Sequence, residues 1–232
     1  MKTIGLLGGM SWESTETYYR LINEGVKERL GGFHSAKICL YSVDFEDVER
    51  LQHAGDWDGT ARILVHASKR IEAGGADFLL ICTNTMHKVA PQIEAEIGIP
   101  ILHIADAAAE QIKAQDFTTV GLLGTNFTME QEFYKGRLLD KHNIEVVIPE
   151  SDDRLIVHDV IYQELCQGKI LSDSRNEFLR IIDQLAVRGA QAVILGCTEI
   201  PLLIQQEHTS VPLFNTTEIH ARQAVEKALA GK

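Results

Sequence analysis

Two short stretches hold the side chains best suited to chemistry. In Val193-Ile194-Leu195-Gly196-Cys197-Thr198-Glu199-Ile200 an apolar run ends at a glycine, and a cysteine and two hydrogen-bonding residues follow. The β-branched apolar residues predict a buried strand, Gly196 a turn, and Thr198 the N-cap of a helix. That arrangement sets the Cys197 sulfur beside unsatisfied helix N–H groups, where a thiolate is favoured, and predicts a lowered thiol pKa and a usable base. An earlier stretch, Leu79-Leu80-Ile81-Cys82-Thr83-Asn84-Thr85, has the same form and predicts a second turn of the same kind, which raises the question whether the two face one substrate. Taken alone, Cys197 fits a small buried hydrophobe as well as it fits a base.

The elements that must position these turns follow from the spacing of apolar residues. Thr3 to Gly9 predicts a strand ending in glycines, and Trp12 to Leu30 a helix with basic residues near its end. Lys37 to Val43 reads as a second strand, followed by a polar helical patch from Glu46 to Gln52 and a helix from about Asp58 to Ala73, ended by Gly74-Gly75. Asp77 to Cys82 is expected as a third strand, with Asn84 or Thr85 capping a helix to about Ile97. Ile101 to Ile104 is expected as a fourth strand, and Asp106 to Ala114 as a helix. This alternation predicts an α/β fold with parallel sheets covered on both faces.

The second half repeats the first. Thr119-Val-Gly-Leu-Leu-Gly124 matches Thr3-Ile-Gly-Leu-Leu-Gly8, 116 residues apart, and Tyr134 falls opposite Tyr18 at that spacing. Gly189-Ala190 through Leu195 matches Gly75-Ala76 through Ile81, 114 residues apart, which sets Cys197 opposite Thr83; Val211 to Phe214 echoes Ile99 to Leu102. The near-constant spacing predicts duplication of one α/β unit: two doubly wound lobes related by a pseudo-twofold axis, one over 1–103 plus 216–232 and the other over 104–215. Ligands of such sheets sit at the carboxyl ends of the strands, so the active site is expected in the cleft between the lobes.

Composition narrows the function classes. Of 232 residues, 45% are hydrophobic and 24% charged, ordinary for a globular chain, and no apolar run approaches the roughly 20 residues of a membrane span. The N-terminus enters a strand-like run without the features of a signal peptide, which predicts a cytoplasmic location. Cys39, Cys82, Cys166 and Cys197 are widely spaced and expected as free thiols rather than metal ligands or disulfides. A formal charge of −11 argues against nucleic acid or an anionic membrane as partner, so an anionic ligand must be held by local donors.

Other motifs have plainer readings. Leu6-Leu7-Gly8-Gly9-Met10-Ser11 lacks GxGxxG spacing, and no GxxxxGK[ST] loop occurs, so the glycines are read as a close turn rather than a nucleotide site. His87, His103, His158 and His220 look scattered and structural, and Glu46, Asp47 and Glu49 read as a solvated helix face. Cys82 is expected in a strand body and Cys166 within the helical pattern from Ile161.

Cys82-Thr83-Asn84-Thr85-Met86-His87 resembles the Cys-Asn-Thr-Ala-His motif of the aspartate/glutamate racemase superfamily with Thr83 in place of its cysteine, and Gly196-Cys197-Thr198-Glu199 resembles the second motif of that superfamily. Gly8-Gly9-Met10-Ser11-Trp12-Glu13-Ser14-Thr15 and Gly124-Thr125 resemble its aspartate racemase branch, and the Thr83 departure resembles the L-aspartate/glutamate-specific subgroup. The resemblance runs along essentially the whole chain. It implies an isomerase that inverts Cα of aspartate or glutamate without pyridoxal phosphate or any other cofactor or metal, a small acidic amino acid as partner, and a homodimer. A threonine hydroxyl is too weak an acid to rest as an alkoxide, so Cys197 is expected to take the α-proton of the L-substrate and Thr83 to return a proton on the opposite face. Asn84, Thr85, Thr198 and backbone N–H groups are expected to hold the α-carboxylate, Glu199 the ammonium, and Gln52 the distal carboxylate, with Arg50, Arg154 and Lys169 as further candidates. Met10 and Thr125, in the turns that open each half, complete the expected binding set.

The same scaffold resembles hydantoin racemases, maleate isomerases and arylmalonate decarboxylases, which share the thiol. Two readings of other classes stand beside it: a non-catalytic binder of small acidic metabolites, and a nucleotide-binding regulator.

Overall fold

Strands buried on both faces read as near-continuous apolar runs, as in Ile4–Gly8, Phe78–Ile81 and Ala192–Leu195, every residue of which is buried. In the computed structural model, which describes residues 1–230, the chain forms β1 (Ile4–Gly8), α1 (Trp12–Leu30), β2 (Ile38–Ser42), α2 (Phe45–His53), α3 (Trp57–Ala73), β3 (Phe78–Ile81), α4 (Ala90–Glu94) and α5 (Ile104–Lys113). It continues through β4 (Thr119–Leu123), α6 (Asn126–Glu130), α7 (Glu132–His142), β5 (Glu145–Val147), α8 (Ser151–Gln163), α9 (Ser172–Val187), β6 (Ala192–Leu195), α10 (Ile200–Leu203), β7 (Leu213–Asn215) and α11 (Thr216–Leu229). Two compact units result, one of residues Met1–Ile104 with those from His220 onward, the other Ala105–Ile219, so the second division falls inside α11 rather than at its start.

The first unit is a parallel sheet in the order β2-β1-β3. Alternate strand residues point to opposite faces. Leu7, Leu79 and Ile81 pack with Leu64 and Ile71 of α3, while Ile4, Leu6, Phe78 and Leu80 pack with Tyr18, Ile22 and Val26 of α1 and Ala221 and Val225 of α11. The expected fourth strand is reduced to a single parallel bridge, Leu79 to Ile101. Pro100 has no N–H to donate, and Ile104 already begins α5, so only the bonds Leu79 N–H to Pro100 O (3.0 Å) and Leu102 N–H to Leu79 O (2.8 Å) form.

The second unit is a parallel sheet in the order β5-β4-β6-β7. Here the segment that echoes Ile99–Leu102 does form a strand, β7, paired with β6 from Val193 to Leu195. Phe178, Ile181, Ile182 and Leu185 of α9 are buried. A Cβ on Gly121 would meet Leu185 Cδ1 at 2.9 Å, which shows how closely α9 lies on β4. The carboxylate of Asp106, in the first turn of α5, ties that helix to α7 by accepting from Arg137 Nε (2.7 Å) and Nη2 (2.8 Å), Lys141 Nζ (2.6 Å) and His142 Nε2 (2.8 Å). Burial by itself raises its pKa, but these donors hold it well below the usual carboxylate range.

Strand register repeats between the units. Leu7 pairs with Ile81 and Leu123 with Leu195, and beyond each pair the next residue of the second strand donates to the first: Cys82 N–H to Leu7 O (2.9 Å) and Gly196 N–H to Leu123 O (2.6 Å). Among the described residues no helix is long and apolar enough to cross a membrane.

Candidate active site

The β1–α1 turn is built by its own motif. Ser11 caps α1 by accepting from Ser14 N–H (3.2 Å), and Thr15 Oγ1 accepts from Gly9 N–H (2.8 Å) while donating to Ser11 O (2.8 Å). Gly9 has φ +91°, and a Cβ there would run into the backbone of Val43, so the turn admits only glycine at that position. Met10 is buried behind it.

Ser14 then reaches the end of β3, donating from Oγ to Cys82 O at 2.7 Å. The strand ends at Ile81, so Cys82 lies just past it; it is fully buried, which pushes its thiol pKa up. Thr83 follows, partly exposed, and its carbonyl accepts from His87 Nδ1 at 2.8 Å. Ile104 N–H donates to His87 Nε2 at 3.2 Å. A neutral imidazole has one donor and one acceptor, so these partners fix His87 as the Nδ1–H tautomer. Asn84 and Thr85 are buried here, but neither caps a long helix: Asn84 makes no side-chain cap, and Thr85–Val89 is a 3₁₀ turn running into the short α4.

Three of the four histidines that looked scattered converge in this unit. The His87 ring lies 4.4 Å from that of His103 and 6.0 Å from that of His220. His220 Nε2 donates to Leu102 O (2.7 Å), so its Nδ1 accepts from the Tyr18 hydroxyl (2.8 Å). Burial, then proximity to His103 and His220, holds the His87 pKa well below the usual value; burial lowers that of His220 to about 4. His87 and His220 are thus neutral, packed and hydrogen-bonded at neutral pH. His158, in the other unit, lies 3.3 Å from Asn126 N through Nδ1.

The equivalent turn of the second unit follows β6. Thr216 Oγ1 donates to Leu195 O (2.9 Å). A Cβ on Gly196 would meet Leu123 O at 2.9 Å and Leu122 Cδ1 at 3.0 Å, so the close approach to β4 requires glycine. Cys197 is partly buried and its Sγ donates to Glu199 Oε2 at 2.9 Å; Thr198 Oγ1 donates to the same oxygen at 2.7 Å. Thr198 is therefore not a helix cap. Glu199 occupies the cap position, makes no side-chain cap bond, and the helix behind it is only the four residues of α10.

These contacts reverse the expected protonation of the thiol. Burial raises the Cys197 pKa well above the usual value, and the adjacent Glu199 carboxylate raises it further by its charge and by accepting a hydrogen bond from the thiol. At neutral pH the resting pair is thiol and carboxylate. The carboxylate expected to meet a substrate ammonium is the hydrogen-bond acceptor of the cysteine.

The remaining residues separate by environment. Gln52 is buried on α2 of the first unit, whereas Arg50 is exposed on the same helix. In the second unit Arg154 is bonded to Glu130 (3.0 Å) and Pro149 O (2.8 Å), and Lys169 is exposed and bonded to Gln167 (2.9 Å). Thr125 is buried before α6, with Oγ1 3.4 Å from that of Thr128. Cys166 is exposed in a 3₁₀ turn, because α8 stops at Gln163. Glu46 and Asp47 are solvent-exposed. Among the described residues no group of three or more His, Cys, Asp or Glu is arranged to hold a metal ion. Two side chains shape the first turn beyond the candidate site residues: His87, read from the sequence as structural, and Ser14, which there is only part of the turn motif; the spacing of four between Thr83 and His87 on a helical turn is the signal for a side chain folding back on a carbonyl.

Comparison with known proteins gives the family. A family model described as Asp/Glu/Hydantoin racemase matches residues 7–224. A crystal structure of a Yersinia pestis protein assigned as an Asp/Glu racemase is 55% identical, with a TM-score of 0.95, covering 99% of this chain and 100% of that one. An aspartate racemase homologue from Pyrococcus horikoshii OT3 is 34% identical, with a TM-score of 0.86 over 98% of this chain and 99% of that one. The broad specificity amino-acid racemase RacX of Bacillus subtilis is 21% identical over 98% of both chains. On the match across residues 7–224 and the Yersinia and Pyrococcus relatives, the chain belongs to the Asp/Glu/Hydantoin racemase family.

Proposed function

We propose that this protein is an amino-acid racemase acting on aspartate, glutamate or both without pyridoxal phosphate, with Cys197 and Thr83 exchanging the α-proton on opposite faces of Cα. The observation that carries the reading is the paired register: a thiol and a hydroxyl occupy equivalent positions, two residues past Leu195 and Ile81, at the carboxyl ends of equivalent strands. We read the correspondence as duplication of one α/β unit. The names of the family and of its aspartate and glutamate racemase relatives support an acidic amino acid as substrate.

The contacts of the thiol supply the missing base. The Cys197 proton passes to Glu199, giving thiolate and carboxylic acid. The thiolate removes the α-proton of the L-substrate and becomes a thiol again, leaving the electron pair on Cα. Thr83 delivers its hydroxyl proton to the opposite face as it takes one from water, so no alkoxide rests there. The hydroxide left in solvent is neutralised by the Glu199 carboxyl proton, which restores the starting state. Backbone N–H groups with Asn84, Thr85 and Thr198 hold the α-carboxylate, Met10 and Thr125 border it, and buried Gln52 is the first choice for the distal carboxylate.

Because a thiol and a hydroxyl differ as bases, isotope exchange from the two enantiomers should differ. In D₂O, α-deuterium should enter L-aspartate fast and D-aspartate slowly, while the equilibrium ratio stays at one. Equal rates of entry would sink the assignment of faces. Racemisation that survives Cys197→Ala would sink the base, and no racemisation by the unmodified protein would favour the binder of acidic metabolites. A structure with substrate bound, showing Cα flanked by Cys197 and Thr83, would test the geometry directly.

A further inference from the structure

The reading above leaves Thr83 as the weaker partner, yet its backbone is the more firmly held. The carbonyls on both sides of its Cα are each taken by a side chain: Cys82 O by Ser14 Oγ at 2.7 Å and Thr83 O by His87 Nδ1 at 2.8 Å. The other ring nitrogen of His87 is anchored by Ile104 N–H, so the imidazole links the turn to the first residue of α5. Ser14 and His87 are both buried. The equivalent positions of the second unit carry no such donors. Ser14 corresponds by the 116-residue spacing to Glu130, and His87 by the 114-residue spacing to Pro201, neither of which can donate a neutral side-chain hydrogen bond in this way. There the Cys197 carbonyl accepts only from Ile200 N–H within its own turn among the bonds formed by the backbone.

We propose that Ser14 and His87 are positioning residues that clamp the two peptide carbonyls flanking Thr83 and so aim its hydroxyl for proton delivery to one face of the substrate. The proposal rests on Thr83 being the proton donor of the racemase reading. It follows from chemistry that a thiolate, being a strong and polarisable base, tolerates an imprecise approach, whereas a hydroxyl that must give up one proton while taking another has to be aligned. A misplacement of about 1 Å costs on the order of 100-fold in rate.

The test separates the two faces. With Ser14→Ala and His87→Ala, D-aspartate formation from L-aspartate should fall about 100-fold, while α-deuterium entry into L-aspartate, which needs only Cys197, should stay within about threefold of the unmodified protein. His87→Asn keeps an N–H donor near the Nδ1 position and should recover at least roughly tenfold of the loss seen with alanine. A parallel fall of both readouts, or no fall in either, overturns the proposal. Ser14→Ala removes one buried oxygen and keeps the test open if the histidine variant does not fold. Should the unmodified protein racemise nothing, the racemase reading fails by itself; the clamp is then judged by amide hydrogen exchange of residues 84 to 87, which should quicken at least roughly tenfold in both alanine variants. Unchanged exchange would overturn it.

Discussion

Replacing Glu199 by glutamine separates two effects that the same carboxylate exerts on Cys197. The Cys197 Sγ to Glu199 Oε2 distance is 2.9 Å. Two negative charges at that separation repel by about 1.4 kcal/mol in a water-like dielectric and by about 6 kcal/mol at an effective dielectric of 20. Both residues are partly exposed, so the first figure is the working floor, and about 1.4 kcal/mol is a tenfold change in the thiolate population at fixed pH. Glu199→Gln should therefore speed alkylation of Cys197 by iodoacetamide at least roughly tenfold at pH 7 to 8, followed by mass spectrometry of the Cys197 peptide so that exposed Cys166 does not interfere. Catalysis should move the other way. If the carboxylate takes the thiol proton during turnover, its loss removes a general base, and kcat should drop by about 10² to 10⁴. A variant that is both more reactive and more active would show that Glu199 only suppresses the thiol; one that is less reactive would show that it activates the thiol at rest. Either result refutes the assignment.

Other consequences follow from neighbouring parts of the molecule. His220 stays neutral in the fold down to about pH 4, whereas an unfolded histidine takes up its proton near 6.5, so the unfolded chain binds more protons below that pH and stability is lost as pH falls. Chemical denaturation should show roughly 2 kcal/mol less stability at pH 5 than at pH 6.5 from His220 alone, with His87 adding in the same direction; a flat profile would refute the neutral, buried histidines. Asp106→Asn should cost about 2 kcal/mol, because four charge-assisted bonds from α7 lose their acceptor charge at a side chain that is 21% exposed; a loss under about 0.5 kcal/mol would show the tie to be dispensable. Thr83→Cys should raise α-deuterium entry into D-aspartate at least roughly tenfold by giving that face a thiol; no change would mean that residue 83 is not the group acting there.

The extent to which these features are legible in the sequence depends on how far each interaction reaches along the chain. Strands buried on both faces appear as short apolar runs, closed by glycine in β1, β4 and β6, so these three, β3 and the spacing between the halves can be read directly. Ile101–Ile104 reads equally well, yet forms one bridge, because the missing N–H of Pro100 and the start of α5 at Ile104 compete with strand pairing. The chemistry of Cys197 turns on a more local competition. Thr198 has the character of a cap, but the carboxylate one residue later offers its hydroxyl a charged acceptor at 2.7 Å, and a charge-assisted bond outcompetes a bond to backbone N–H groups at the start of a four-residue helix. The same oxygen accepts a hydrogen bond from the Cys197 thiol, and with burial its charge keeps the proton on sulfur where the sequence predicts a thiolate.

The histidines illustrate the opposite limit. His87, His103 and His220 meet only because β3, the segment after it and α11 pack in one unit, and no spacing rule joins residue 87 to residue 220. The neutrality of His87 and His220 is equally a property of the packed state, since burial disfavours the charged imidazole and charge on a neighbouring ring disfavours it further at His87. A neutral His87 has one N–H and one lone pair, and both are committed, to Thr83 O and to Ile104 N–H. A protonated ring would have no lone pair for Ile104, so the fold keeps the ring neutral and loses stability as the unfolded chain takes up the proton below pH 6.5. The turn that holds Thr83 is for that reason tied to the protonation state of a residue four positions away, whereas the turn that holds Cys197 is governed by a carboxylate two positions away. The two halves share strand register while differing in what controls the group at the strand end, and that difference suits the two-sided proton exchange proposed for Cys197 and Thr83.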